Sequence, residues 1–224
     1  MHRVVIALLF VSTATFAAPD KQLASAFRAA FGKGDSVLLK KQGPLNENVK
    51  YSPGELVNAP FGPVLLAPGE VVDASHVNSG KLAIIYLKPT AKAFDVTGRF
   101  VPATETGSFG KIVDWSVNSS FGSLPVVTVN GAGNWQGYAC STATLVELAP
   151  DGPKPLVTLP MTYDNGGAVG ATKKLVQING RIDNISPGKS FDVVYFGTKS
   201  FTERYVRRGD TYVLASNRSR MQMC

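Results

Sequence analysis

Hydrophobic positions recur along this chain with two different periods. Near the start the spacing is helical: Leu23, Phe27 and Phe31, with Ala26 and Ala30, fall on one face. Asp20 is placed to cap that helix and Gly32 to end it. From residue 80 onward the apolar positions come in short continuous or alternating runs. These are Lys81–Lys88, Ala93–Val101, Lys111–Val117, Leu124–Val129, Ala139–Leu148 and Leu156–Leu159 in the middle third. Lys174–Ile178, Arg181–Ile185, Phe191–Phe196, Ser200–Val206 and Thr211–Ala215 follow. Their length and their β-branched and aromatic content predict strands. Asn130-Gly131, Asp151-Gly152, Asn165-Gly166, Asn179-Gly180, Pro187-Gly188 and Gly209-Asp210 fall between the runs and predict tight turns. The expectation is a mainly β protein, an antiparallel meander with one short N-terminal helix.

The stretch from Gly43 to Gly69 breaks the pattern. Pro44, Pro53, Pro60, Pro63 and Pro68 lie within it, and proline cannot donate to a central ladder. It reads as an irregular arm with one short strand at Val64–Leu66. The resulting division is a leader over 1–18, a helix and loop-rich arm over 19–79, and an antiparallel β domain over 80–224, arm and domain forming one globular unit. Three segments of about forty residues, beginning near Gly80, Pro125 and Gln177, share a loose strand–turn–strand order, a period that suits propeller-like blades. A β-sandwich or a partly closed barrel is the alternative.

The leader is read from its layout. His2 and Arg3 precede an apolar run from Val4 to Phe10, and Phe16-Ala17-Ala18 resembles a cleavage site. The run is too short to span a bilayer, and no later one reaches eighteen residues, so no transmembrane anchor is expected. The protein is therefore expected in the periplasm or outside the cell. Export makes a disulfide between the two cysteines, Cys140 and Cys224, the natural reading.

With 44% hydrophobic and 17% charged residues, the chain has the composition of a packed globule. Its formal charge is +7, concentrated in the second half at Lys173, Lys174, Arg181, Lys189, Lys199, Arg204, Arg207, Arg208, Arg218 and Arg220. Such a surface attracts anionic partners. For an exported chain these are another protein or an anionic envelope component, not nucleic acid.

Candidate chemistry is sparse. His76 is the one histidine beyond the leader, and Asp73, Ser75 and His76 are too close in sequence to converge as a triad. One histidine and two cysteines do not make an ordinary zinc site. No calcium-loop signature occurs, and Asp164-Asn165-Gly166-Gly167 reads as a turn. Ser186-Pro187-Gly188-Lys189 has the S-x-x-K spacing but is also a turn. Neither metal nor cofactor is expected. The glycine-rich run Gly131-Ala132-Gly133-Asn134-Trp135-Gln136-Gly137 misses the dinucleotide fingerprint and precedes a strand, so it reads as a loop presenting Trp135 near Tyr138 and Cys140. Aromatics alternating with Arg204, Arg207 and Arg208 read as a hairpin with a basic outer face.

These observations lead to the expectation of an exported, non-catalytic binding protein, of the inhibitor or immunity type, directed at a secreted or cell-wall-acting enzyme. Asn134, Trp135, Tyr138, Arg204, Arg207 and Arg208 are its candidate contact residues. The alternatives are an envelope hydrolase using scattered carboxylates and an envelope structural or ligand-binding module.

Overall fold

A computed structural model of the chain describes residues 19–169, 174–216 and 218–224. The expected leader over 1–18 and Lys173 lie outside the described residues. The one helix among the described residues, α1 (Pro19–Phe31), runs from a proline in its first turn to Gly32, whose φ of +90° and N–H bond to the Arg28 carbonyl (2.9 Å) end it. Asp20 falls inside the first turn, one residue after the helix's first, and so past the cap position.

Two antiparallel sheets follow. The first contains β1 (Val37–Gln42), β2 (Glu47–Tyr51), β3 (Glu55–Ala59), β4 (Gly62–Val71), β5 (Gly80–Pro89) and β6 (Phe94–Thr106). Its order is β1-β2-β4-β5-β6, with β3 also pairing β4. The second contains β7 (Asp114–Asn118), β8 (Val126–Trp135), β9 (Tyr138–Ala149), β10 (Gly152–Asp164), β11 (Gln177–Ser186), β12 (Ser190–Gly197), β13 (Phe201–Arg208) and β14 (Thr211–Leu214). It is a pure meander from β7 to β14 and curls into a half-barrel, bringing β14 back towards β10. The mainly β, antiparallel expectation holds. The forty-residue segments are not blades, because β5 and β6 complete the first sheet and the remaining strands form one continuous sheet.

The arm needs correction. Residues 43–69 carry three strands, and β4 runs through the middle of the first sheet despite Pro63 and Pro68. Pro63 lies one residue outside the last registered β4–β5 pair, Val64↔Tyr86. Pro68 sits where β4 changes neighbour from β3 to β2, and there Ser52 N–H donates to its carbonyl at 3.0 Å. Neither proline withholds a hydrogen that the ladder requires. Pro44 and Pro60 occupy turns, and Pro53 lies in the β2–β3 link. Strand β1 had no counterpart in the sequence reading.

Three apolar layers hold these elements together. The face of α1 with Ala26, Phe27 and Ala30 packs on Tyr51, Leu65, Ala83 and Ile85 of the first sheet. The opposite face of that sheet, with Val64, Leu66, Leu82 and Ile84, packs on Val127, Val129, Val146 and Leu148 of β8 and β9. Sheet 1 is therefore buried on both sides, which is why β4 and β5 read as continuous apolar runs rather than alternating ones. The third layer fills the half-barrel: Leu145, Leu159, Phe191, Val193, Tyr195 and Tyr205 converge there, with Phe121 and Met221 brought in from outside the strands. Bulges at Pro155/Val157 and Pro160/Thr162 in β10 supply the bend. No helix among the described residues is long and apolar enough to cross a membrane.

Candidate functional site

The glycine-rich run is strand, not loop. β8 continues through Gly131 and Gly133 to Trp135, and β9 returns from Tyr138, with Trp135 paired to Tyr138. Only Gln136 and Gly137 turn, with φ of +50° and +82°, the double positive φ of a type I′ hairpin. A β-carbon at Gly137 would collide with the Gly167 backbone, so the hairpin tip is braced against the turn after β10. Asn130-Gly131 and Asn179-Gly180, expected as turns, lie inside β8 and β11. At Gly131 the reason is space: a β-carbon would overlap Gly107 and the Thr106 hydroxyl.

Strand alternation puts Gly131, Gly133 and Trp135 on the face that, further along β8, packs Val127 and Val129 against the first sheet. The first sheet stops at Thr106, whose hydroxyl is 3.0 Å from that of Thr142, and Gly107 follows. Beyond this point the space between the sheets opens into a pocket of about 190 Å³. Gly131, Gly133, Cys140 and Thr142 contribute from β8 and β9, Trp135 closes one end, and Met223 with Cys224 closes another. The indole lies directly over Gly133, where a β-carbon would overlap its six-membered ring. Trp135 remains 39% exposed. No ionisable side chain lines the pocket among the described residues.

The last residues reach this place because three things hold them. Ser219 Oγ donates to both oxygens of Glu203 (2.8 and 3.0 Å), and the Arg220 N–H donates to the same carboxylate at 2.5 Å. Met221 is buried in the half-barrel core. The Cys140–Cys224 disulfide, with Cα atoms 6.0 Å apart, fixes the end against β9. Phe109, 54% exposed, lines an adjoining recess with Asn134 that shares Gly133 and Ser141 with the pocket. Met223 is 72% exposed.

The structure thus brings Asn134, Trp135, Cys140 and Cys224 into one neighbourhood. Tyr138 turns inward and packs towards Tyr163, ring centroids 6.1 Å apart. The arginines are elsewhere, on β13. Arg207 donates to both oxygens of Glu147 at 3.1 and 3.3 Å, across the half-barrel from β9, and its guanidinium lies 5.6 Å from the Tyr212 ring centre. Arg204 donates to Ser190 Oγ (2.7 Å) and pairs with Asp192 at 3.4 Å. Arg208 is exposed. The residues missed in sequence are Phe109, Thr142 and Met223, none of which carries a local signal beyond its type.

A second polar cluster lies under the helix side of the first sheet. Lys81, its side chain 5% exposed, pairs with Glu47 at 2.7 Å and Glu105 at 2.6 Å, and Asn78 Nδ2 donates to Glu47 at 2.7 Å. Burial pushes the Glu47 carboxyl up, but hydrogen bonds from Lys81 and Asn78 and the Lys81 charge outweigh it and hold it below its ordinary value. Burial likewise lowers Lys81, and the two carboxylates more than reverse this, raising it. Asp164 is held low by the Gly166 N–H and Gln177, and Asp151 by Lys154. No group of three or more His, Cys, Asp or Glu among the described residues is placed to hold a metal ion.

No family model matches the chain, and no characterised protein or solved structure is significantly similar to it.

Proposed function

We propose that this is an exported, non-catalytic binding protein of the inhibitor or immunity type, which engages a secreted or cell-wall-acting enzyme through the surface around Trp135. The observation that carries the reading is the half-exposed indole at a braced hairpin tip, beside a pocket lined by no ionisable side chain among the described residues and two further exposed apolar side chains, Phe109 and Met223. Aromatic anchors next to pockets on rigid supports dominate binding energy at protein interfaces. The disulfide supports an oxidising compartment.

The test is capture of partners from an envelope extract of the native host by immobilised protein and by its Trp135→Ala variant. The reading expects one or more proteins retained by the first and lost with the second, the variant keeping its unfolding midpoint. Identical retention by both removes Trp135 from the site.

A further inference from the structure

We propose that the pocket beneath Trp135 receives one uncharged, apolar side chain of the partner protein, a phenylalanine- or leucine-like anchor. The proposal rests on the reading of this surface as a protein-binding site and specifies what enters it. Four observations converge.

The first is charge. An anionic group entering this pocket would lose its water and meet no cationic side chain among the described lining residues, which is costly for a carboxylate. The second is the state of the polar groups. Thr142 Oγ1 is already bonded to Thr106 Oγ1 at 3.0 Å, and Ser141 Oγ to Thr162 Oγ1 at 2.8 Å. Hydroxyls that satisfy one another leave little demand for a hydroxylated ligand such as a sugar ring beyond the Gln222 amide, which also lines the pocket.

The third is the character of the walls. Gly131 and Gly133 present bare backbone, while Trp135, Met223 and the disulfide present polarisable apolar surface. A ring or branched aliphatic group finds close contact there without displacing a side chain. The fourth decides between a side chain and a free small molecule. Met223, which lines the pocket yet is 72% exposed, and Phe109, 54% exposed in the adjoining recess, would both stay largely in water over a small ligand. A partner surface that inserts an anchor covers them at the same time, the usual arrangement of a hot-spot pocket inside an apolar surround.

The test uses the intact, oxidised protein and capped amino acids as probes, read by NMR at the Trp135 indole N–H and the Met223 methyl. N-acetyl-phenylalaninamide and N-acetyl-leucinamide are expected to give saturable shifts at these two groups, with Kd on the order of 1 mM for so small a fragment. N-acetyl-lysinamide, N-acetyl-aspartamide and methyl glucoside are expected to bind at least tenfold more weakly. Met223→Ala, a substitution at an exposed tail position, is expected to weaken the phenylalanine probe several-fold without changing the rest of the spectrum.

Equal or tighter binding of a charged probe or of the sugar overturns the proposal, as does the absence of saturable shifts with every probe. If no probe binds but Trp135→Ala still abolishes partner capture, the protein-binding surface stands and the anchor pocket falls. If the phenylalanine probe binds while partner capture ignores Trp135→Ala, the pocket is a small-molecule site and the partner anchor falls.

Discussion

The indole of Trp135 rests on the backbone of Gly133, two residues earlier on the same face of β8. Glycine there leaves the room that the ring occupies. Gly133→Ala is expected to push the ring outward and weaken partner capture, while changing global stability by less than about 1 kcal/mol at this half-buried strand end beside the hairpin tip. Tryptophan emission in Trp115→Phe and in Trp115→Phe/Gly133→Ala proteins reads the displacement as a red shift. An unchanged spectrum would mean that the ring does not depend on the glycine.

The disulfide closes a sequence separation of 84 residues between β9 and the chain end. Chain-entropy arithmetic for a loop of this size gives roughly 4–5 kcal/mol, and measured losses on removing native disulfides run at about 2–5 kcal/mol. Cys140→Ser/Cys224→Ser is expected to fall in that measured range by urea denaturation. Glu203 and the buried Met221 still hold the tail as far as residue 221. Hydrogen exchange should therefore rise at 222–224 well before it rises in β13.

Arg207 and Arg208 are neighbours in sequence with opposite roles. Arg207 neutralises Glu147, a mostly buried carboxylate. Arg207→Ala is expected to cost about 2–3 kcal/mol, somewhat less than the loss of a fully buried partner, because the pair retains some exposure. Arg208→Ala is expected to stay within about 0.5 kcal/mol. Urea midpoints of the two variants check the contrast, and equal effects would refute it.

Lys81 and Glu47 set a pH dependence. Glu47 is held below its ordinary value, so its contribution is present at neutral pH and is lost as pH falls through the folded value. Lys81 is held above its ordinary value, so its contribution is complete at neutral pH and is lost only as pH rises through the raised value. Lys81→Met strands Glu47, 4% exposed, and is expected to cost about 3–5 kcal/mol at pH 7. That penalty should shrink as pH approaches 4, because protonation then removes the stranded charge. Denaturation midpoints from pH 4 to 8 test this, and a pH-independent penalty would contradict it.

What could be read from sequence follows physical lines. β5 was legible because both of its faces are buried, so Lys81–Lys88 reads as one apolar run against an observed Gly80–Pro89. Gly209-Asp210 does form a hairpin turn, with open space around Gly209, whereas at Asp151-Gly152 the turn falls on Pro150-Asp151 and Gly152 opens β10 close to the Phe100 ring. Asn130-Gly131 and Asn179-Gly180 have the same turn chemistry but lie in strands. There the glycine answers a tertiary demand, the Thr106–Gly107 approach to Gly131 and the Tyr195 ring against Gly180. The expected strand at Val64–Leu66 is the centre of β4; β2, β3 and the rest of β4 were hidden by prolines whose missing hydrogens face gaps in the ladder, a fact of pairing that spacing does not encode. Trp135 and the two cysteines stood out by residue type. Their meeting with Met223 depends on how Glu203 and Met221 route the tail, and no local pattern reports that.

The central claim, that the Trp135 surface is where a partner protein sits, is tested most directly by site-specific photo-crosslinking. A benzophenone amino acid at position 223, beside the indole, is compared with one at exposed Leu38 on β1, in the native host. The account expects a discrete protein adduct from position 223 that competes with added unlabelled protein and is absent from position 38. No competable adduct at 223, or the same adduct from both positions, would contradict it.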